Sequence, residues 1–216
     1  MKAGSRRRIP KKRQPSDIET QVQQFLKRQV MLGPELGESI VRLEQLASRL
    51  LETSFDAAVT EVPESANAQS SDDLLRDLAA HISAGMTGVE GDLVRKSLQE
   101  SFYQIVGTAP ELGRAKLAER LVSFLRRRGT AGLVQSFLSL HVFNIVWFQT
   151  SDAFRSLSST PDSFLHKMHD VERTCHRIVD SIWRKQQRSG PLDIVGARLL
   201  VQRLQERLIG GSSSVA

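Results

Sequence analysis

The sequence contains a single cysteine, and we expect no secretory signal. With Cys175 alone among 216 residues, no disulfide can form within the chain, so its framework does not require an oxidising compartment. The basic N-terminus is not followed by the apolar stretch that a secretory signal needs. We therefore predict an intracellular protein, cytoplasmic or, in a host with a nucleus, nuclear.

The motifs of common enzyme classes are also missing. The sequence has no glycine-rich phosphate loop with its lysine, no nucleophile elbow, no HExxH pair and no paired cysteines. Three histidines, His166, His169 and His176, fall in one predicted helix. His169 and His176 face the same way but lie roughly 10 Å apart along the axis, too far for one ion to join them. We therefore expect no catalytic residue, no metal site and no cofactor.

No segment alternates apolar and polar residues with period two for long enough to form a strand, and the turn dipeptides Asn-Gly and Asp-Gly do not occur. Apolar residues recur at helical spacing instead. From Ala131 to Thr150 the chain is apolar nearly all round, which is typical of a helix surrounded by others. Its most apolar part, 133–148, is shorter than a bilayer span and contains polar residues, so no transmembrane segment is expected. We predict an all-α bundle of about seven to eight helices around a central helix at 131–149.

Composition and the residues that begin and end helices divide the chain into five parts. These are a disordered basic arm (1–15), an N-terminal helical pair (16–52), a flexible linker (53–71), a C-terminal helical bundle (72–209) and a disordered end (210–216). Capping boxes, Ser16 with Glu19 and Thr108 with Glu111, begin two of the helices. The linker is expected because serine, alanine, amide and acidic residues replace the apolar periodicity there. Gly129 is expected to end a helix as a left-handed cap.

The arm contains seven basic residues and no acidic one. The basic residues are Lys2, Arg6, Arg7, Arg8, Lys11, Lys12 and Arg13. Without them the chain has 23 basic residues against 24 acidic ones, so the arm carries the whole positive net charge. Such a segment attracts nucleic acid or another polyanion without sequence preference, but a nuclear-import signal or a solubilising end has the same composition. Because the arm has no aromatic residue to stack on bases, we expect contacts to phosphates.

Two further groups of residues are candidate sites. The first is a secondary basic patch at two predicted helix ends, formed by Arg126, Arg127, Arg128, Arg184, Lys185 and Arg188. Cations there also stabilise the helix dipole, which is the simpler interpretation. The second is a small-ligand pocket on the central helix, where His141 and Asn144 would orient a ligand beside Trp147. Alternatively, these polar groups bond to neighbouring helices and fix the packing.

The sequence therefore predicts a non-enzymatic helical binding protein. Its arm would contact nucleic acid or another polyanion, and its amphipathic helical seams would hold a protein partner or a second copy of the chain. Two alternatives are a small-ligand sensor with a pocket at the central helix and a protein interaction module whose arm is a targeting signal.

Overall fold

The computed structural model describes residues 32–33, 35–63, 65, 68–107, 112–156, 158–186 and 192–210. Within these ranges the chain forms seven α-helices and no strand. They are α1 (Leu36–Glu52), α2 (Phe55–Thr60), α3 (Ser71–Ile82), α4 (Gly88–Val106), α5 (Arg114–Ser156), α6 (Pro161–Gln186) and α7 (Ile194–Gly210). The predicted all-α fold with a long central helix is confirmed.

Amphipathic stripes determine which helix faces are buried. The stripe predicted for α1 is at most 2% exposed, and it consists of Leu36, Ile40, Leu43, Ala47 and Leu50. α1 packs against α5 and α7, so this seam is covered within the chain and is not free for a partner. Buried apolar residues from Leu32 to Leu208 form one core. The sequence left open whether the N-terminal helices dock on the bundle, and α1 does.

α5 is the centre of the bundle and packs against α4, α6 and α1. Phe137 and Val146 are fully buried on it, as expected for a helix with neighbours on several sides. By length and composition alone, Arg114–Asp152 could cross a membrane. However, 61% of its most apolar window is buried inside the protein, so its place in the core accounts for its hydropathy.

Gly129 interrupts α5 with φ 69° and ψ 175°, outside the helical region. The sequence predicts a helix end at this residue, and the helical conformation does break there. The residue does not form the expected left-handed cap, because ψ is extended and the helix resumes at once. The result is a kinked helix with a first half at 114–128 and a second half at 130–156. Kinks at glycine are common because glycine adopts positive φ without steric cost.

The segment expected to be a flexible linker contains α2. Phe55, Val59 and Val62 are buried against the core. Ser65 Oγ donates to the carbonyl oxygen of Val59 at 2.6 Å, which fastens the end of this turn. The expectation of a flexible segment is therefore corrected for 55–63, where few but well-spaced apolar side chains find a surface on the bundle. The rest of the five-part division stays a prediction, and 1–31 and 211–216 lie outside the described residues.

Candidate functional site

The seven basic residues of the arm lie outside the described residues, and so does Arg188. The other five members of the secondary basic patch are described and exposed. Arg126, Arg127 and Arg128 form the last turn of the first half of α5, and Arg184 and Lys185 lie in the last turn of α6. None of the five forms an ion pair with another described residue.

One patch residue, Arg127, caps its helix end, as expected if the patch cations stabilise helix dipoles. Arg127 Nε donates to the carbonyl oxygen of Ser123 at 3.2 Å, one turn earlier. A cation at a helix C-terminus stabilises the dipole in this way. For the other four described patch residues, no such bond to another described residue is found, so capping accounts for only part of the cluster.

The register of α5 and α6 decides where the two basic segments lie. Gln135 Nε2 donates to Asp180 Oδ1 at 2.6 Å, and further along the pair the ring of Trp147 packs edge-on against Phe164 with centroids 5.2 Å apart. The two helices are therefore antiparallel. Continuing from the Gln135–Asp180 contact away from these aromatic rings leads to the kink of α5 and to the last turn of α6. The fold thus brings both basic segments to the same level of the helix pair.

A cleft of about 410 Å³ opens at this level, between the kink of α5 and the facing side of α6. We call it the kink cleft. Phe124 and Arg128 line it from the first half of α5, Gln135 and Ser136 from the second half, and His176 and Asp180 from α6. The spacing of residues along the chain does not predict this site. A signal was present, because Gln135, Ser136 and Ser139 interrupt the apolar central segment on one side, but only the packing of α6 shows what they face.

Two features shape the kink cleft. A Cβ atom on Gly132 would lie 2.6 Å from Cβ of Arg128, so glycine permits the close approach of the two halves of α5. The bond between Gln135 and Asp180 crosses from α5 to α6 and holds the carboxylate against the cleft. That carboxylate keeps further acceptor capacity, because an ionised Asp has two oxygens and several lone pairs.

The predicted pocket residues face different neighbours. Asn144 Nδ2 donates to Ser97 Oγ at 3.1 Å and to Glu100 Oε2 at 2.6 Å, both on α4. The ring of Trp147 instead stacks on Phe154 of its own helix and meets α6. The structure therefore does not join Trp147 to the polar pair, and the bonds to α4 agree with the alternative that these polar groups fix the packing.

His141 is fully buried beside Asn144. Its Nδ1 lies 3.4 Å from Ser97 Oγ, whose own hydrogen is donated to the Leu93 carbonyl at 2.6 Å. Since the Ser97 hydroxyl is already a donor, Nδ1 carries the imidazole hydrogen and Nε2 is an acceptor. No hydrogen-bond partner for Nε2 is found in the described part of the chain. Burial lowers the pKa of His141 from 6.5 to about 4, opposed by a backbone bond with Leu93, so the ring is neutral at pH 7.

The remaining histidines and the cysteine do not form a joint centre. His169 is exposed on α6 and pairs with Glu172 at 3.5 Å, while Cys175 is buried on the opposite, core side. Across the ranges that the structure describes, no group of three or more His, Cys, Asp and Glu side chains is placed to hold a metal ion. Burial, followed by the negative charge of Glu172, raises the pKa of the Cys175 thiol to about 12, so it is an inert core residue.

Comparison with known proteins adds no assignment. The chain matches no protein-family model, no curated protein sequence and no solved structure.

Proposed function

We propose that the protein binds nucleic acid or a related polyanion, without sequence specificity and without catalysis, through its basic arm together with the secondary basic patch. The observation that supports this is the gathering of five exposed cations at one level of the α5–α6 pair. No carboxylate of a described residue neutralises them, although cations elsewhere in the described chain do form ion pairs, for example Arg49 with Glu61 and Arg76 with Asp72.

The arm and the patch are expected to act in different ways. The arm concentrates positive charge in a short segment, and each phosphate that it neutralises releases condensed counterions. The patch is held by two packed helices, so its cations are already positioned when a phosphate backbone arrives. A rigid surface of this kind orients the nucleic acid, whereas the arm mainly adds affinity.

The proposal is tested by fluorescence anisotropy with a labelled random-sequence duplex, titrated with the full chain at roughly 50 to 200 mM salt. One variant replaces the seven basic residues of the arm by Gln, and a second replaces the five described patch residues. We expect the arm variant to lose most of the affinity and to flatten the plot of log K against log salt by about 0.9 per lost phosphate contact. The patch variant should flatten it by a smaller amount.

A matched control separates the patch from net charge. It replaces five cations that the structure shows in ion pairs, Arg49, Arg76, Arg95, Arg173 and Arg198, by Gln. This control changes the formal charge as much as the patch variant does. If the two variants weaken binding equally, the patch has no specific role. If the full chain does not bind the duplex even at the lowest salt, the proposed function is wrong and the arm is a targeting or solubilising segment.

The protein partner and the intracellular location expected from the sequence remain part of this proposal. The α1 seam is filled within the chain, so a partner would have to use other surfaces. Large apolar side chains that are exposed among the described residues include Phe148 at 60% and Leu165 at 46%. Isolated exposed apolar residues are common on soluble proteins and do not by themselves define an interface.

A further inference from the structure

We infer that the kink cleft binds one unpaired nucleotide, with the base inside the cleft and the phosphate at the secondary basic patch. This inference rests on the proposed function for the source of the ligand, since the nucleotide would belong either to a single strand held by the arm or to a free mononucleotide. Both sources share the same chemistry, a planar heteroaromatic base joined to a phosphate.

The size and walls of the cleft fit a base. A volume of about 410 Å³ lies within the usual range of small-molecule sites and exceeds what a bare phosphate needs. Phe124 offers an aromatic ring that is partly buried and packed against the core, so its position is fixed. Aromatic side chains on which a base can stack are the usual feature of single-strand binding sites. The arm lacks any such residue, and the kink cleft supplies one.

The polar lining narrows the ligand class further. Asp180 Oδ1 accepts from Gln135 Nε2 at 2.6 Å, which leaves the second carboxylate oxygen and the Gln135 carbonyl oxygen as acceptors. Ser136, Ser139 and His176 also line the cleft. A purely anionic ligand would be repelled by the carboxylate, and a hydrocarbon would leave these groups unsatisfied. A base edge carries N–H donors and ring-nitrogen acceptors together, so it can bond both to the acceptor oxygens of the cleft and to its hydrogen-bond donors.

The cations lie where the phosphate of such a nucleotide would emerge. Arg128 borders the cleft itself, with Arg126 and Arg127 in the same turn. Arg184 follows Asp180 by four residues and therefore lies one turn along the same face of α6, about 6 Å away along the axis. A base within a duplex has its pairing edge occupied and its faces stacked, so only an unpaired base can enter.

The test uses the full chain, titrated by calorimetry with guanosine and adenosine 5′-monophosphates and with inorganic phosphate, and by anisotropy with a labelled random single strand. Phe124→Leu keeps an apolar side chain but removes the stacking face, and Asp180→Asn keeps the shape but removes the charged acceptor. Phe148→Leu is the matched control, an exposed aromatic residue of the same helix outside the cleft. Thermal melting by circular dichroism checks that each variant is folded.

We expect Phe124→Leu to bind the single strand and the monophosphates at least about fivefold more weakly than wild type, with the control unchanged, because stacking on an aromatic ring contributes substantially per base. Asp180→Asn should also weaken binding, because Asn presents one acceptor oxygen, already used by Gln135, where Asp presents two. Duplex binding should be unchanged in Phe124→Leu and not weakened in Asp180→Asn, which removes a negative charge beside the patch. Two results would overturn the inference: wild-type affinity of both cleft variants for these ligands, or inorganic phosphate binding as tightly as the monophosphates. Duplex binding is measured independently of both results and tests the proposed function separately.

Discussion

Acidification should destabilise the folded protein through His141. Its imidazole is fully buried on α5, and burial lowers its pKa to about 4. In the unfolded chain the same ring titrates near 6.5. Between these two values the unfolded state binds a proton that the folded state does not, so the free energy of unfolding decreases as the pH falls.

The size of the effect follows from the two pKa values. Each unit of difference corresponds to about 1.4 kcal/mol, so His141 contributes up to about 3 kcal/mol relative to a fully protonated ring. This contribution is fully present above pH 6.5 and is lost as the pH falls through 4. Between about pH 7.5 and pH 5 the expected loss is about 2 kcal/mol, which lowers Tm by roughly 4 to 8 °C for a chain of this size.

The assay is urea denaturation of the wild type and of His141→Gln at both pH values, followed by circular dichroism. Gln keeps a polar side chain beside Ser97 and Asn144 but does not titrate. Glu44 provides an opposite contribution, because burial raises the pKa of its carboxyl above 4.5 and so favours the folded state on acidification. That contribution is present in both proteins and cancels in the comparison. Equal pH dependence of the wild type and His141→Gln would refute the reasoning.

Two other predictions concern the kink and the core thiol. Gly129→Ala should cost about 1 to 3 kcal/mol in urea denaturation, because φ 69° with ψ 175° is a conformation that essentially only glycine adopts. Gly113→Ala is the control, since nothing lies within 4 Å of its new Cβ, and an equal loss there would contradict the backbone argument. Cys175 should react with Ellman's reagent at pH 8 at least about tenfold more slowly in the native protein than in urea, because the thiol is fully buried and burial raises its pKa to about 12 from 9. Rapid native labelling would show that the thiol is accessible.

Much of the fold could be predicted because helix patterns are local. The burial of Leu36, Ile40 and Leu43 follows from their spacing, and the apolar segment of α5 was expected to be surrounded because most of its circumference is apolar. The break at Gly129 was visible for the same reason, since glycine tolerates backbone angles that other residues avoid. The geometry of that break was not visible, because ψ depends on how both halves of α5 pack.

The sequence by itself determined the all-α class, the central helix and the charged arm, since composition and periodicity act through neighbouring residues. Only the tertiary structure decided that α2 packs on the core, that His141 and Asn144 turn to α4 while Trp147 meets α6, and that two separate basic segments share one level. The kink cleft belongs to this second group. Its lining comes from both halves of α5 and from α6, and the pairing of distant helices is not encoded in the spacing along either one.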